Sequence, residues 1–269
     1  MSARTAVVLP DGRIATGTFW SSYAVYDPGT DRWDLEGIEI GPALNAMLSS
    51  GAHVHAVGDA GRVWTDSAPL AEMGSLCNFL AEPGANLYTG GLLGRVFDAR
   101  SGAVLYEHHV PLICATGFEV GGHIGLAVGT YTGEILLFGV GHDGALTLDK
   151  TLAVYHNAVK GLSCSDGLLF SVCASTDIAW HRLPDGAQVR KVTQAHERIA
   201  NACCEIGLRR FASVGRDRTL RLWHCEHSES FGSPHSNSVK CIAVNDDKTA
   251  VLTGCYGGTL ARFDQLERR

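Results

Sequence analysis

The hydrophobic residues of this chain fall in short alternating runs instead of the 3.6-residue period of a helix. In the run TLRLW, Leu220 and Leu222 would share one face of an extended strand, with Arg221 on the other face. Asp-Gly, Pro-Gly and Ser-Gly pairs separate many of these runs, and such pairs supply the backbone angles that tight hairpins need. The pattern therefore predicts an all-β protein.

A unit with the same strand layout recurs along the chain and is marked by a hydroxyl residue on its second strand. The marked copies carry Thr16, Thr89, Ser171, Ser213 and Thr253. Successive hydroxyls are 73, 82, 42 and 40 residues apart, so the first two intervals each hold two units. A period of about 40 residues is typical of the four-stranded blades of β-propellers.

We predict a single domain that is a seven-bladed β-propeller of four-stranded antiparallel blades. The approximate blades are residues 4–40, 41–73, 74–109, 110–155, 156–195, 196–234 and 235–269. The strand TAVVL, from Thr5, already serves as the inner strand of the first blade, and only the charged stretch QLERR follows Asp264. We therefore expect a three-stranded last blade, whose edge could accept a strand from another chain. Atypical pairing of the two chain ends is the alternative.

One unit resembles the WD-repeat family of β-propellers. The segment AHERIANACCEIGLRRFASVGRDRTLRLWH has a His before the first strand, a Ser on the second, an Asp in the next turn and a Trp on the third. The resemblance covers the whole chain at the level of the repeat, but only this unit is complete. It implies a propeller fold with a buried hydrogen-bonded tetrad of His196, Ser213, Asp217 and Trp223.

The Ser, His and Asp of this unit also suggest a catalytic triad. Their spacing lets the acid reach the His, the His reach the hydroxyl and the hydroxyl reach the indole N–H, which satisfies buried polar groups. A triad would need an exposed nucleophile beside an oxyanion hole, and the chain has no GxSxG elbow. We favour the structural network and assign no catalytic residue. His109, His156 and His235 occupy the corresponding position in other units.

Composition limits which classes of partner the protein could bind and which cellular compartment suits it. The chain has 269 residues, is 45% hydrophobic and carries a formal net charge of −6, so no electrostatic footprint for nucleic acid is visible. No window approaches the length of a membrane span, and the N-terminal apolar run is too short for a signal peptide. The nine cysteines lack paired metal-type spacing and suit a reducing compartment. We predict a cytoplasmic protein without nucleic-acid or membrane partners.

The 12 histidines raise the question of a metal site. His224 and Cys225 would face opposite sides of a strand, and His53 and His55 share a side but supply only two ligands. The pair of histidines ending at His109 looks like a blade boundary. We predict no bound metal and no cofactor.

In the resembled family, ligands most often dock on the face with the loops before the first strand and after the second. Lys160 and Lys240 occupy matching positions in their first strands, near the expected channel mouth. With Arg198 and Arg216 they could form a basic spot suited to a carboxylate or phosphate group. Exposed aromatic and arginine residues are enriched at binding hot spots. The predicted partner-binding residues are Trp20, Tyr131, Lys160, Arg198, Arg216, Lys240 and Tyr256.

These residues predict a non-catalytic scaffold that binds a protein or peptide on the loop face around the central channel. The alternative is a small-molecule enzyme (a hydrolase, isomerase or cyclase) at the channel mouth, near the first-strand thiols Cys114, Cys203 and Cys241. A deep polar pocket where acids and histidines converge would favour the enzyme. A shallow rim of aromatic residues and arginines would favour the scaffold.

Overall fold

The computed structural model describes residues 3–18, 22–39, 43–66, 68–224 and 228–264. These residues form 27 β-strands in seven antiparallel sheets, which confirms the predicted all-β class. None of them belongs to a helix long and apolar enough to cross a membrane.

Each sheet is one blade, and the blades follow one another along the chain. Blade 1 holds β1 (Ala3–Val8), β2 (Ile14–Thr18), β3 (Ser22–Asp27) and β4 (Arg32–Glu39). Blade 2 holds β5 (Leu44–Ser50), β6 (His53–Gly58), β7 (Arg62–Thr65) and β8 (Ala68–Glu72). Blade 3 holds β9 (Cys77–Ala81), β10 (Tyr88–Gly91), β11 (Arg95–Asp98) and β12 (Val104–Glu107). Blade 4 holds β13 (Leu112–Val120), β14 (His123–Thr130), β15 (Glu134–Val140) and β16 (Leu146–Ala153).

The remaining three blades complete the ring. Blade 5 holds β17 (Val159–Ser165), β18 (Leu168–Cys173), β19 (Ile178–Arg182) and β20 (Ala187–Val192). Blade 6 holds β21 (Ala200–Gly207), β22 (Arg210–Gly215), β23 (Thr219–Trp223) and β24 (Ser228–Gly232). Blade 7 holds β25 (Val239–Val244), β26 (Ala250–Cys255) and β27 (Leu260–Asp264).

The strands of each blade pair in chain order, so that the first strand lies at one edge of its sheet. The first strands pack around a common axis, each against the first strand of the next blade, and β25 packs against β1. The ring is therefore closed by packing between blades 7 and 1, without a described blade that contains strands from both ends of the chain. Both the seven-bladed fold and the three-stranded last blade are confirmed.

Aromatic and aliphatic side chains fill the space between neighbouring blades. Between blades 5 and 6, Phe170 stacks on Phe211 with ring centroids 5.0 Å apart, and Trp180 meets Trp223 edge-on at 6.0 Å. All four rings are buried. Because alternate residues of a strand face opposite sides, each blade packs side chains against both of its neighbours, and the second strands of blades 4 to 7 are buried at nearly every position.

Where the structure describes the turn before the third strand, which it does in six blades, a left-handed residue lies one or two positions before that strand. Gly94 illustrates why the position favours glycine, since its φ is +71° and a Cβ atom there would lie 2.2 Å from the carbonyl oxygen of His108. His108 belongs to the loop that leads to blade 4, so this turn fixes the path of the chain between two blades. The six residues are Gly61, Gly94, Gly133, Thr176, Arg218 and Gly258.

Candidate binding site at the channel mouth

The predicted tetrad of blade 6 is present and buried. Trp223 Nε1 donates a hydrogen bond to Ser213 Oγ at 2.7 Å, and Ser213 Oγ lies 2.7 Å from His196 Nε2. His196 Nδ1 lies 2.8 Å from Asp217 Oδ2. Burial alone would raise the pKa of Asp217, but hydrogen bonding to His196 and the imidazole charge lower it to about 2. Since the Ser213 side chain is fully buried, the network is structural and the triad interpretation is wrong.

The other blades hold only parts of this network. His235 Nε2 lies 2.7 Å from Thr253 Oγ1, as expected for its position. His109 and His156 are exposed, so the expectation that they occupy the same buried position was wrong. In blade 5 the buried Tyr155, directly before His156, reaches Ser171 Oγ at 2.8 Å instead.

In every blade the pairing of the first strand with the second shifts register after the first residue of the first strand. The second residue of each first strand is therefore an extra residue without a partner on the second strand, and the seven extra residues occupy equivalent positions around the ring. A bulge of this kind re-aims the side chain of the extra residue. The seven extra residues, in ring order, are Arg4, Asn45, Asn78, Ile113, Lys160, Asn201 and Lys240.

The three asparagines of this ring tie adjacent blades together. Asn45 Nδ2 donates to the carbonyl of Cys77 at 3.0 Å. Asn78 donates in the same way to Leu112 at 2.8 Å. Asn201 Nδ2 donates to Val239 at 2.6 Å. Each acceptor is the first residue of the next blade's first strand. The asparagine side chains at this ring position therefore reach across the boundary between two blades.

Cations occupy three positions of the same ring, and a loop arginine joins them. We call Arg4, Lys160, Arg216 and Lys240 the channel cations. Burial lowers the pKa of Lys160, and the charge of Arg216 lowers it further. Burial and the charges of Lys160, Arg4 and Arg216 lower the pKa of Lys240 to about 8. Lys240 is therefore close enough to the other three cations, and Lys160 to Arg216, for their charges to repel.

The channel cations differ in their partners. Arg4 Nη1 lies 3.7 Å from Asp59 Oδ2. The ammonium groups of Lys160 and Lys240 make no hydrogen bond or ion pair to any residue in the described ranges, although both residues are partly buried. Ammonium groups that are partly desolvated and adjacent to like charges are suited to binding an anion.

A ring of loop residues surrounds the channel cations. The residue after the second strand donates its backbone N–H to the carbonyl just before the first strand of its own blade, as in Arg216 to Ile199 at 2.8 Å. Exposed side chains stand at four of these positions, with exposures of 55% for Leu92, 61% for Tyr131 and 38% for Tyr256, and Arg216 as the fourth. We call these four residues the channel rim: Leu92, Tyr131, Arg216 and Tyr256.

The structure thus brings together most of the predicted site residues. Lys160, Lys240 and Arg216 lie close enough for their charges to interact, while Tyr131 and Tyr256 lie on the rim above different blades. Arg198 is exposed in the loop before β21, without a hydrogen bond or ion pair to the channel cations among described residues. Trp20 lies outside the described residues. Sequence reasoning missed Arg4 and Leu92, which only the register of the strands identifies as ring and rim positions.

The opposite end of the channel holds a cavity of about 470 Å³, between blades 2, 3 and 4. Its lining includes Glu82 and Glu119 but no histidine or cysteine. Glu82 is already engaged, since Arg100 Nη2 lies 3.1 Å from its carboxylate. An acid, a base and a nucleophile therefore do not converge among the residues lining this cavity.

The channel thiols do not favour an enzyme either. Burial raises the pKa of Cys114 and of Cys241 to about 12 each, and raises that of Cys203 well above its ordinary value. At neutral pH these groups are thiols, and the thiolate is the nucleophilic form. The mouth that carries the channel cations is instead a rim of aromatic, aliphatic and arginine side chains, the arrangement expected of a binding surface.

Comparison with solved structures defines the class of fold. The WD40 β-propeller domain of Doa1 aligns with 99% of this chain and 93% of its own, with a TM-score of 0.80 and 16% identity. A chain of the mitotic checkpoint complex aligns with 99% of this chain and 94% of its own, with a TM-score of 0.82 and 14% identity. No protein-family model and no curated protein was found to match the sequence. At these identities the likeness shows the fold, which is that of a WD40-type β-propeller, as the resemblance implied.

Proposed function

We propose that this protein is a non-catalytic scaffold that binds a protein or peptide partner at the channel mouth. An acidic side chain of the partner lies among the channel cations. The observation that carries this proposal is the pair Lys160 and Lys240, which stand beside further positive charges and have no counter-ion within the described residues. A carboxylate from a partner would offset both the desolvation of these ammonium groups and their mutual repulsion.

The channel rim supplies the contact area around this charged centre. Tyr131 is 61% exposed and Leu92 is 55% exposed, although both belong to hydrophobic residue types. Tyrosine and arginine are enriched among the residues that dominate binding energy, and a desolvated centre strengthens a charged contact. The proposed partner segment therefore carries an acidic residue flanked by apolar ones.

Affinity capture from native cells tests the proposal, with the wild-type protein compared with a Lys160→Gln/Lys240→Gln double variant. We expect the amount of the retained partner to fall at least about tenfold, because a charge pair of this kind contributes about 1.5 kcal/mol or more. Tyr131→Ala should also reduce retention. Lys150→Gln is the matched control, since Lys150 lies on the outer strand β16 and donates to the carbonyl of Asp185 at 2.7 Å.

Purified partner should then be titrated against each variant by calorimetry. Equal affinity for the wild type and the double lysine variant would contradict the channel mouth as the binding surface. Loss of binding by the Lys150→Gln control would show a general electrostatic effect and would contradict the specific role of the channel cations.

The edge of blade 7 at β27, beside which no further strand lies among the described residues, is a second proposed contact. The third strand β27 has no buried residue, whereas β23 of blade 6 buries Trp223 at the position that Phe263 occupies in β27. A strand from another chain added beside β27 would cover Phe263 and pair the backbone edge. Hydrogen exchange tests this contact. The β27 amides that point away from β26 should exchange rapidly in the isolated protein and become protected when the partner is added; protection of these amides without the partner would contradict the proposal.

The location of the protein in the cell and the classes of partner that it does not bind are also proposals. We propose that the protein acts in the cytoplasm and binds neither nucleic acid nor membranes. The net charge of −6 and the lack of a block of basic residues support this, because both of those partners are anionic. Fluorescence microscopy of the tagged protein and a DNA-binding titration at low salt test the two parts separately.

A further inference from the structure

Three potential metal ligands meet where blade 3 joins blade 4. His108 and His109 lie in the loop between β12 and β13, and Glu134 begins β15. Their ligand atoms all lie within 4.8 Å of one another. His108 Nε2 is 3.4 Å from Glu134 Oε2, and the two imidazole centroids are 4.3 Å apart.

The surrounding backbone holds these ligands in place. The N–H of His108 donates to the carbonyl of Gly94 at 2.8 Å. These two backbones lie so close together that residue 94 has no room for a Cβ atom. The N–H of Glu134 donates to Thr130 Oγ1 at 3.0 Å, and Thr132 Oγ1 donates to Glu134 Oε2 at 3.3 Å. A cluster supported by outer contacts of this kind keeps its ligands oriented before a metal arrives.

One ligand atom makes no hydrogen bond within the described structure. The His108 side chain is only 10% exposed, and its Nε2 makes no hydrogen bond within the described ranges. A buried polar atom without a hydrogen bond destabilises the fold, and a bond to a metal would remove that cost. The other ring nitrogen, Nδ1, lies 3.5 Å from the Tyr106 hydroxyl, and the two rings are stacked. Nε2 is therefore the atom available to a metal.

We propose that His108, His109 and Glu134 bind a divalent transition metal of the zinc class. Two imidazoles and one carboxylate are a ligand set that zinc accepts, with bond lengths that place tetrahedral ligands about 3.3 Å apart. The observed distance of 3.4 Å between His108 Nε2 and Glu134 Oε2 matches this spacing between two ligands of one tetrahedral ion. His109 is exposed, so a water molecule can occupy the fourth position. This site is independent of the proposed function at the channel mouth.

Isothermal titration of the full chain with zinc chloride tests the site. We expect one zinc ion per chain, with affinity lowered at least tenfold by His109→Ala and by Glu134→Gln. His109 is exposed, so its variant should keep the fold. His156→Ala is the matched control, because His156 is an exposed residue of the corresponding loop before blade 5 and should leave the affinity unchanged.

Cobalt(II) provides a second readout, because its absorption spectrum distinguishes nitrogen and oxygen ligands from thiolates. We expect a spectrum without a thiolate charge-transfer band that is lost in His109→Ala. Zinc binding of equal affinity in His109→Ala, or a thiolate band, would place the metal elsewhere and overturn the proposal. Absence of stoichiometric binding would also overturn it and leave His108 and Glu134 as an ion pair.

Discussion

At the scale of single residues, the tetrad shows how the position of a hydroxyl decides its role. Ser213 accepts from Trp223 and faces His196, so its oxygen is enclosed by the blade it holds together. The acid completes the network by fixing the imidazole through Nδ1. Residue types that elsewhere form a nucleophilic site therefore contribute only stability here, because no substrate can reach the hydroxyl.

Asp217→Asn should lower the free energy of unfolding by about 1–3 kcal/mol, because the amide cannot stabilise His196 as the carboxylate does. Chemical denaturation at pH 7 measures the change. Asp246→Asn is the matched control, since Asp246 is an exposed turn residue. Equal stability of Asp217→Asn and the wild type would contradict a structural role for the tetrad.

Acid pH should weaken the same contact in the wild type. The pKa of Asp217 is about 2 in the folded protein, below its unfolded value, so the unfolded chain binds more protons as the pH falls. The stabilisation from Asp217 is present above about pH 4 and is lost as the pH falls toward 2. Between about pH 5 and pH 2, the free energy of unfolding should fall more steeply with falling pH for the wild type than for Asp217→Asn. Parallel curves would contradict the assignment.

The sequence revealed the tetrad because its four members lie within one repeat. It misplaced His109 and His156, since a single sequence does not show which of two adjacent loop residues turns inward. In blade 5 the inward residue is Tyr155. The His108, His109 and Glu134 cluster was missed for a related reason: Glu134 comes from another strand, and its distance from the loop depends on how the turn at Gly133 packs.

At the scale of the structural element, the repeat predicts the strands, whereas the bulges and left-handed turns decide where side chains meet. Periodicity located Lys160 and Lys240 at matching places in their strands. The register shift then puts them at the same ring position as Asn201, whose amide reaches the next blade. Such one-residue shifts leave no trace in the hydrophobic alternation, so the sequence alone could not identify Arg4 as a member of the same ring.

Gly94→Ala should destabilise the protein by about 1–3 kcal/mol, because the new Cβ would both strain a left-handed residue and meet the carbonyl of His108. Thermal and denaturant unfolding measure the effect. Gly12→Ala separates the two contributions, since Gly12 has a similar φ of +83° but no atom within 4 Å of an added Cβ. Equal losses in the two variants would show that the contact with His108 contributes nothing.

At the scale of the whole molecule, seven blades close a ring whose two ends differ in charge and shape. One end gathers the channel cations in a chain whose net charge is −6, and the other holds a cavity with two glutamates. Packing of like charges at one mouth is unfavourable for the isolated fold. Natural proteins tolerate such local cost at binding sites, where a partner removes it.

The charge of Lys240 should affect stability and binding in opposite directions. Lys240→Met should raise the free energy of unfolding at pH 7 by about 1–2 kcal/mol, because it removes a charge that burial and neighbouring cations destabilise. The gain is smaller than the full pKa shift would give, since the ammonium is partly exposed and solvent screens its charge. The same variant should bind the partner more weakly. Met keeps the apolar stem of the lysine, so the comparison isolates the charge.

The pH dependence distinguishes charge from packing in this variant. The groups that act on Lys240 are Lys160, Cys241, Arg4 and Arg216, and they are present in both proteins. The pKa of Lys240 is about 8 when folded and higher when unfolded, so between these values the unfolded chain binds more protons and wild-type stability rises with pH. The advantage of Lys240→Met should therefore shrink as the pH is raised above about 8, toward the ordinary lysine value of about 10.4. A constant difference between the two proteins across that range would contradict the electrostatic origin of the cost, and with it the argument that a partner's acid relieves it.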